Sequence, residues 1–198
     1  MQAPNPNWNT PPNPGRSSAK NAWMIGLGLL GSITLLFCLM GVFAAMRLGL
    51  SDAFSCSSYM TKGEYKKAIP PCRAAALKLP RSGAAHNQLA WCLTLDGQVK
   101  EGLVEATMAV ALQPNRTHYD TLAMALALSG KSKEAMNIET EHVMVNGSVG
   151  TVPERVTLGM VYYASGSKVE AREQWEIARK STNIQARKLA EDFEAKYP

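Results

Sequence analysis

Along most of the chain the apolar positions recur at helical spacing. In the run AAHNQLAWCLTLD, Leu89, Cys92, Leu93 and Leu95 fall on one helical face. The runs EYKKAIPPCRAAALKL and QVKEGLVEATMAVALQ carry the same period, and each lies between a glycine and a proline. At the end, IQARKLAEDFEAKYP places Ala186, Leu189, Ala190, Phe193 and Tyr197 on one stripe and its charges on the other. One segment has no polar phase at all: Ala22 to Met46 contains no charged residue. About 20 apolar residues cross a bilayer core, so residues 22–47 are expected to form a transmembrane helix. Ahead of it, residues 1–21 are rich in Pro and Asn, and only Trp8 is large and apolar. That composition buries too little surface to repay ordering, which predicts a disordered tail.

The helical runs repeat. Gly63 and Gly97 stand 34 residues apart, as do Pro80 and Pro114. Gly130 follows after 33 residues and Gly166 after 36, the extra length falling in the loop around Asn146-Gly147, a turn signal. Within the units, similar residues recur in register. One carries Leu89-Ala90, Leu93, Gly97, Ala106, Ala109 and Pro114. The next has Leu122-Ala123, Leu126, Gly130 and Ala135, and the last Leu158-Gly159, Tyr162, Gly166, Ala171, Trp175 and Ala178.

This pattern resembles the tetratricopeptide repeat (TPR) family, whose unit is a helix–turn–helix of 34 residues. The resemblance covers residues 50–183 and implies units at about 50–81, 82–115, 116–148 and 151–183. The fold expected is all-α: one transmembrane helix, then a right-handed α-solenoid of four hairpins, then a capping helix over 184–198. In such a unit the glycine ends the first helix in a left-handed conformation. Small residues such as Ala90, Ala123 and Gly159 let paired helices approach, and Trp175 fills the gap. Ser167 with Glu170, and Thr151 with Glu154 and Pro153, read as helix-start signals of the capping-box type. The first unit departs from the family, since Pro70 and Pro71 fall inside its second helix. That helix is expected to start late, near Ile69, or to kink.

By the same resemblance, a partner segment lies in a concave groove lined by the first helix of each hairpin. The groove residues implied are Asn87, Trp91 and Thr94, then Asp120, Met124 and Ala127, then Val156, Met160 and Tyr163. The subtype that grips a C-terminal carboxylate needs Lys, Arg and Asn there, and only Asn87 fits. The implied surface is neutral and apolar, suited to a helix or extended segment of another protein. Cys56 lies seven residues before Gly63 and Cys72 nine after it, positions that face each other in a TPR hairpin. A Cys56–Cys72 disulfide and an oxidising compartment are one reading; two small buried thiols in a reducing one are the other.

Charge sharpens the membrane reading. Of the net +5, Arg16, Lys20 and Arg47 account for three, and all three flank the apolar run. The remainder is near neutral and has no basic stripe for nucleic acid. The flanking charges are nearly balanced, so the orientation rests on the habit of N-terminal spans to act as signal-anchors. This places the chain as a single-pass protein of a bacterial inner membrane, repeats on the periplasmic side. Val42 and Ala44 also suit a signal-peptidase site, although a cleaved signal has an apolar stretch of only about 7–15 residues.

Chemistry is sparse. His86, His118 and His142 fall at unrelated points of the repeat, no Cys/His cluster has metal spacing, and no nucleophile or phosphate-loop motif is present. No cofactor, metal or enzymatic activity is expected. The expected function is a membrane-anchored scaffold that binds a protein partner. The alternatives are a homo-oligomeric assembly module of an envelope complex and a thiol-redox subunit using Cys92 or a cysteine pair.

Overall fold

A computed structural model describes residues 34–41, 44, 50–145, 147 and 149–197. Its contacts divide the chain into two units, Met1–Ala44 and Ala45–Pro198. The tail over 1–21, most of the apolar run over 22–47, and Asn146 lie outside the described residues. In the first unit, residues 34–41 are helical, and Leu35, Leu36, Phe37, Leu39 and Met40 are each more than half exposed. Among the described residues no helix is long and apolar enough to cross a membrane.

The described part of the second unit is helical. Its α-helices are α1 (Leu50–Thr61), α2 (Tyr65–Lys78), α3 (Gly83–Leu95), α4 (Val99–Leu112), α5 (Arg116–Leu128), α6 (Ser132–Ile138), α7 (Val152–Ala164), α8 (Lys168–Arg179) and α9 (Ile184–Lys196). A π-helical turn, Glu139–Val143, extends α6. Helices pack in pairs, α1 on α2, α3 on α4, α5 on α6 and α7 on α8, and each pair packs on the next. The links inside the pairs turn on Gly63, Gly97, Gly130 and Gly166, with φ of 71°, 88°, 82° and 90°. A side chain at any of the four would strain the backbone.

The period of the sequence has a direct structural counterpart. Seven residues before each turn glycine and nine after it stand two residues that meet across the pair in the first, second and fourth pairs. In α7 and α8 they are Gly159 and Trp175: a Cβ on Gly159 would run into the indole, whose Nε1 donates to the Val156 carbonyl at 3.2 Å. In α3 and α4 they are Ala90 and Ala106, packed together in a small core cluster. In α1 and α2 they are Cys56 and Cys72, joined by a disulfide with Cα atoms 4.8 Å apart. For the third pair they are Ala123 and Glu139, the latter fully buried.

Two local expectations need correction. Helix α2 does not begin near Ile69; it begins at Tyr65 and runs through both prolines. The carbonyls left without an N–H partner belong to Lys66 and Lys67, which are exposed like Pro70, so water can serve them. Ser167 forms no capping box with Glu170. Its N–H is already given to the Tyr162 carbonyl (2.9 Å) in the tight turn after Gly166, which leaves no donor for the glutamate. Thr151 is extended (ψ 158°) and does form the box with Glu154.

Helix α9 differs from a simple end cap. Its apolar residues Ala186, Leu189, Ala190 and Phe193 join the largest core cluster, with Met124, Ala127, Val156 and Met160. Gln185 Nε2 donates to the Thr61 carbonyl at 3.0 Å, linking α9 to the end of α1 across 124 residues of sequence. The last helix therefore touches both α8, which precedes it, and the first helix pair.

Candidate functional site

The first helices of the pairs are positioned by conventional starts. Ser82 accepts from the Ala85 N–H, Asn115 from His118, and Thr151 from Glu154, each extended at the N-cap. From these helices come the nine residues that the repeat pattern singles out. Met124, Ala127, Val156 and Met160 are buried, in the core cluster that also takes in Ala186, Leu189, Ala190 and Phe193 of α9. Thr94 faces α4, where Gly102 leaves room for its hydroxyl. Tyr163 is half-buried, its ring 5.1 Å from Tyr197 and 6.1 Å from Trp175. Asn87 is half-buried, and its Oδ1 has no partner. Trp91 and Val156 lie on the wall of one open space.

That space is a partly open cavity of about 240 Å³ between α1, α3, α7 and α9. Met60, Tyr65, Trp91, Val156 and Leu189 supply apolar wall, and Gln88, Asn183 and Gln185 supply amide groups. Tyr65 and Trp91 line the same wall of the cavity. Burial, and the neighbouring Cys92, push the Tyr65 hydroxyl above its ordinary value, so it stays a neutral phenol. The cavity can hold an apolar side chain or short apolar segment and offer amide hydrogen bonds at its edge. Tyr65 and the α9 residues were out of reach of the repeat pattern. Tyr65 lies on a second helix, and only the return of α9 to the first pair brings in Asn183, Gln185 and Leu189.

A second cluster is polar and closed. Asp120 lies at the seam of α5 and α7 and accepts from Thr157 Oγ1 at 3.1 Å. Arg116 Nη2 pairs with Glu154 Oε2 at 2.7 Å, and that oxygen also accepts from the N–H groups of Gly150 (2.9 Å) and Thr151 (2.8 Å). Glu139 is buried beside them with neither carboxylate oxygen partnered. One guanidinium cannot satisfy three buried carboxylates. Glu154 takes it. Desolvation, with the nearby Asp120 and Glu154 charges, drives the Glu139 carboxyl strongly upward, and desolvation also raises Asp120. Among the described residues no group of His, Cys, Asp and Glu is arranged to hold a metal ion.

No family model matches this chain. Neither does any curated protein.

The histidines serve packing. His86 Nδ1 lies 2.6 Å from Glu105 and ties α3 to α4. His118 Nδ1 lies 2.7 Å from the Gln113 carbonyl, and His142 stacks on Tyr119 at 3.9 Å. None of these contacts brings a histidine beside a nucleophile.

Proposed function

We propose that this chain is a membrane-anchored scaffold whose second unit is a TPR-type right-handed solenoid and which binds a segment of another protein. The observation that carries the reading is the apolar, amide-edged cavity at Trp91, open to solvent where the first helix pair faces α9. Large half-exposed aromatics in partly enclosed apolar pockets are the usual anchors of protein contacts. Four helix pairs turning on left-handed glycines at the repeat period support the TPR assignment. The groove of this reading differs from one lined by nine open residues. Helix α9 packs beside α7, and the partner takes the cavity at α1 and α3. Anchoring through residues 22–47 is supported by the uncharged run and by the exposed apolar side chains over 35–40, which water tolerates poorly and lipid does not. The periplasmic orientation goes with the Cys56–Cys72 disulfide, since such bonds persist in oxidising compartments.

The test is photocrosslinking in native membranes from a probe residue at Gln88, in the parent and in Trp91→Ala. A specific crosslinked protein that disappears in Trp91→Ala, at unchanged helix content, is the expected result. The same crosslink in both chains would remove the cavity from the binding site.

One observation favours self-association as a second reading. Val104, Met108 and Leu112 lie exposed along α4, at 63%, 45% and 37%. A contiguous apolar face of this kind is often an interface. Light scattering of the detergent-solubilised chain, with Val104→Glu and Met108→Glu as the disrupting pair, separates a homo-oligomer from a monomeric adaptor.

A further inference from the structure

Three cysteines from three successive helices meet in the core of the first pair. Cys56 of α1 and Cys72 of α2 are bonded to each other. Cys92 of α3 is a free thiol, and its Sγ lies 3.7 Å from the Cys72 Sγ. All three are fully buried in one cluster. A sulfur already in a disulfide carries no hydrogen, so in this contact the Cys92 thiol is the donor. The third sulfur is therefore placed against one particular half of the bond, the Cys72 half.

We propose that these residues form a thiol–disulfide exchange site in which Cys92 is the internal nucleophile and the crosslink moves from Cys56–Cys72 to Cys72–Cys92. The Cys92 thiolate attacks the Cys72 sulfur. The Cys72–Cys56 bond breaks, and its electron pair leaves on Cys56, which takes up the proton that Cys92 released. One disulfide and one thiol are present before and after, so the step needs neither oxidant nor reductant.

The surroundings favour a populated product. Cys56 Sγ lies 3.6 Å from Gln88 Oε1 and 3.7 Å from Met60 Sδ. While bonded, Cys56 has no hydrogen to give the amide oxygen. Once released, its thiol donates to Gln88, a better acceptor than the disulfide sulfur that Cys92 addresses now. The new bond requires the Cys72 and Cys92 sulfurs to close from 3.7 Å to about 2.05 Å, a side-chain movement and not a refolding. Exchange is held back by the scarcity of thiolate. Burial, with the charge of Asp96, pushes the Cys92 thiol up to about 12, so the step awaits a local opening that admits water.

Exchange changes what is tied to what. The present bond closes the first pair on itself. The exchanged bond would fasten α2 to α3 and leave α1, the helix that follows the 22–47 run in sequence, with no covalent tie to its neighbours and only noncovalent ones such as the Asp52–Lys78 ion pair. This inference stands apart from the partner-binding proposal, because it needs no ligand in the cavity.

The experiment uses the full chain. Cys56→Ser is incubated with oxidised glutathione, quenched in acid, unfolded, alkylated and mapped by mass spectrometry. The expected product is a Cys72–Cys92 disulfide in at least tenfold excess over glutathionylated or free Cys72. Free or glutathionylated thiols at both positions, with parental helix content, would overturn the proposal. If the variant loses its helix content, the unaltered chain decides. Held native and then acid-quenched, it should show alkylated Cys56 growing with time, and none in Cys92→Ser. Labelling confined to Cys92 and Cys38 at all times would overturn the proposal equally.

Discussion

Between α7 and α8 the gap seven residues before and nine after the turn glycine is filled by Trp175 over Gly159; between α1 and α2 the same two places hold a disulfide. The two regions have the same backbone plan and close it by opposite means. The last three helices bury Trp175, Phe193 and Leu189 with Val156, Val161 and Met160, and their aromatic rings lie within about 6 Å of each other. The first pair has little to bury. Phe54 is 77% exposed, α1 is rich in serine, and α2 carries two prolines. A covalent link takes the place of missing apolar surface, as it does in other small elements with thin cores. The lesson is that a repeat position specifies a separation between helices and leaves open how the space is filled.

The comparison breaks most plainly at its two centres. Trp175→Ala leaves a large void beside Gly159 and should lower stability by about 3–5 kcal/mol in chemical denaturation; a loss under 1 kcal/mol would mean the C-terminal core is held by something else. Cys56→Ala with Cys72→Ala removes a crosslink across 16 residues, worth about 3 kcal/mol through loop entropy. Hydrogen exchange should show that loss concentrated in α1 and α2, with α7 to α9 unchanged. Uniform loosening would show instead that the pairs unfold as one.

Glu139 sharpens the comparison at the third pair, where a carboxyl sits in the place that Trp175 and Cys72 occupy elsewhere. Its folded pKa is raised above the ordinary 4.5 by burial. The native state keeps a proton that the unfolded chain releases. This contribution is complete below pH 4.5 and is lost as pH rises toward the folded value, at up to about 1.4 kcal/mol per pH unit. Glu139→Gln should flatten the fall of Tm with pH above 4.5, and identical profiles for the two chains would place the carboxyl in water. The smallest effect belongs to Thr151→Ala. It removes the cap that starts α7 and should cost about 1 kcal/mol, read as a drop in denaturation midpoint without a change in slope.

The turn glycines were legible because a left-handed residue with no Cβ has one common solution, and their spacing carried the helix pairs with it. The capping box at Thr151 was legible for the same local reason, whereas Ser167 has the same residues three apart and no box. The difference lies in where its N–H is spent, which depends on the preceding turn. The groove was read least well. Met124, Val156 and Met160 fall at the spacing of a surface facing inward, but spacing does not say what lies on that face.

By itself the sequence determined periodicity, helix ends, the uncharged run and the register that sets Cys56 opposite Cys72, because each depends on residues close in the chain or on a fixed helical repeat. The tertiary structure decided the rest. Only packing brings α9 back to α1, buries Met124, Val156 and Met160, leaves a cavity at Trp91, places Cys92 against Cys72 and buries Glu139. These contacts join residues far apart in sequence, and their geometry is the sum of every helix angle between them, which no local pattern encodes.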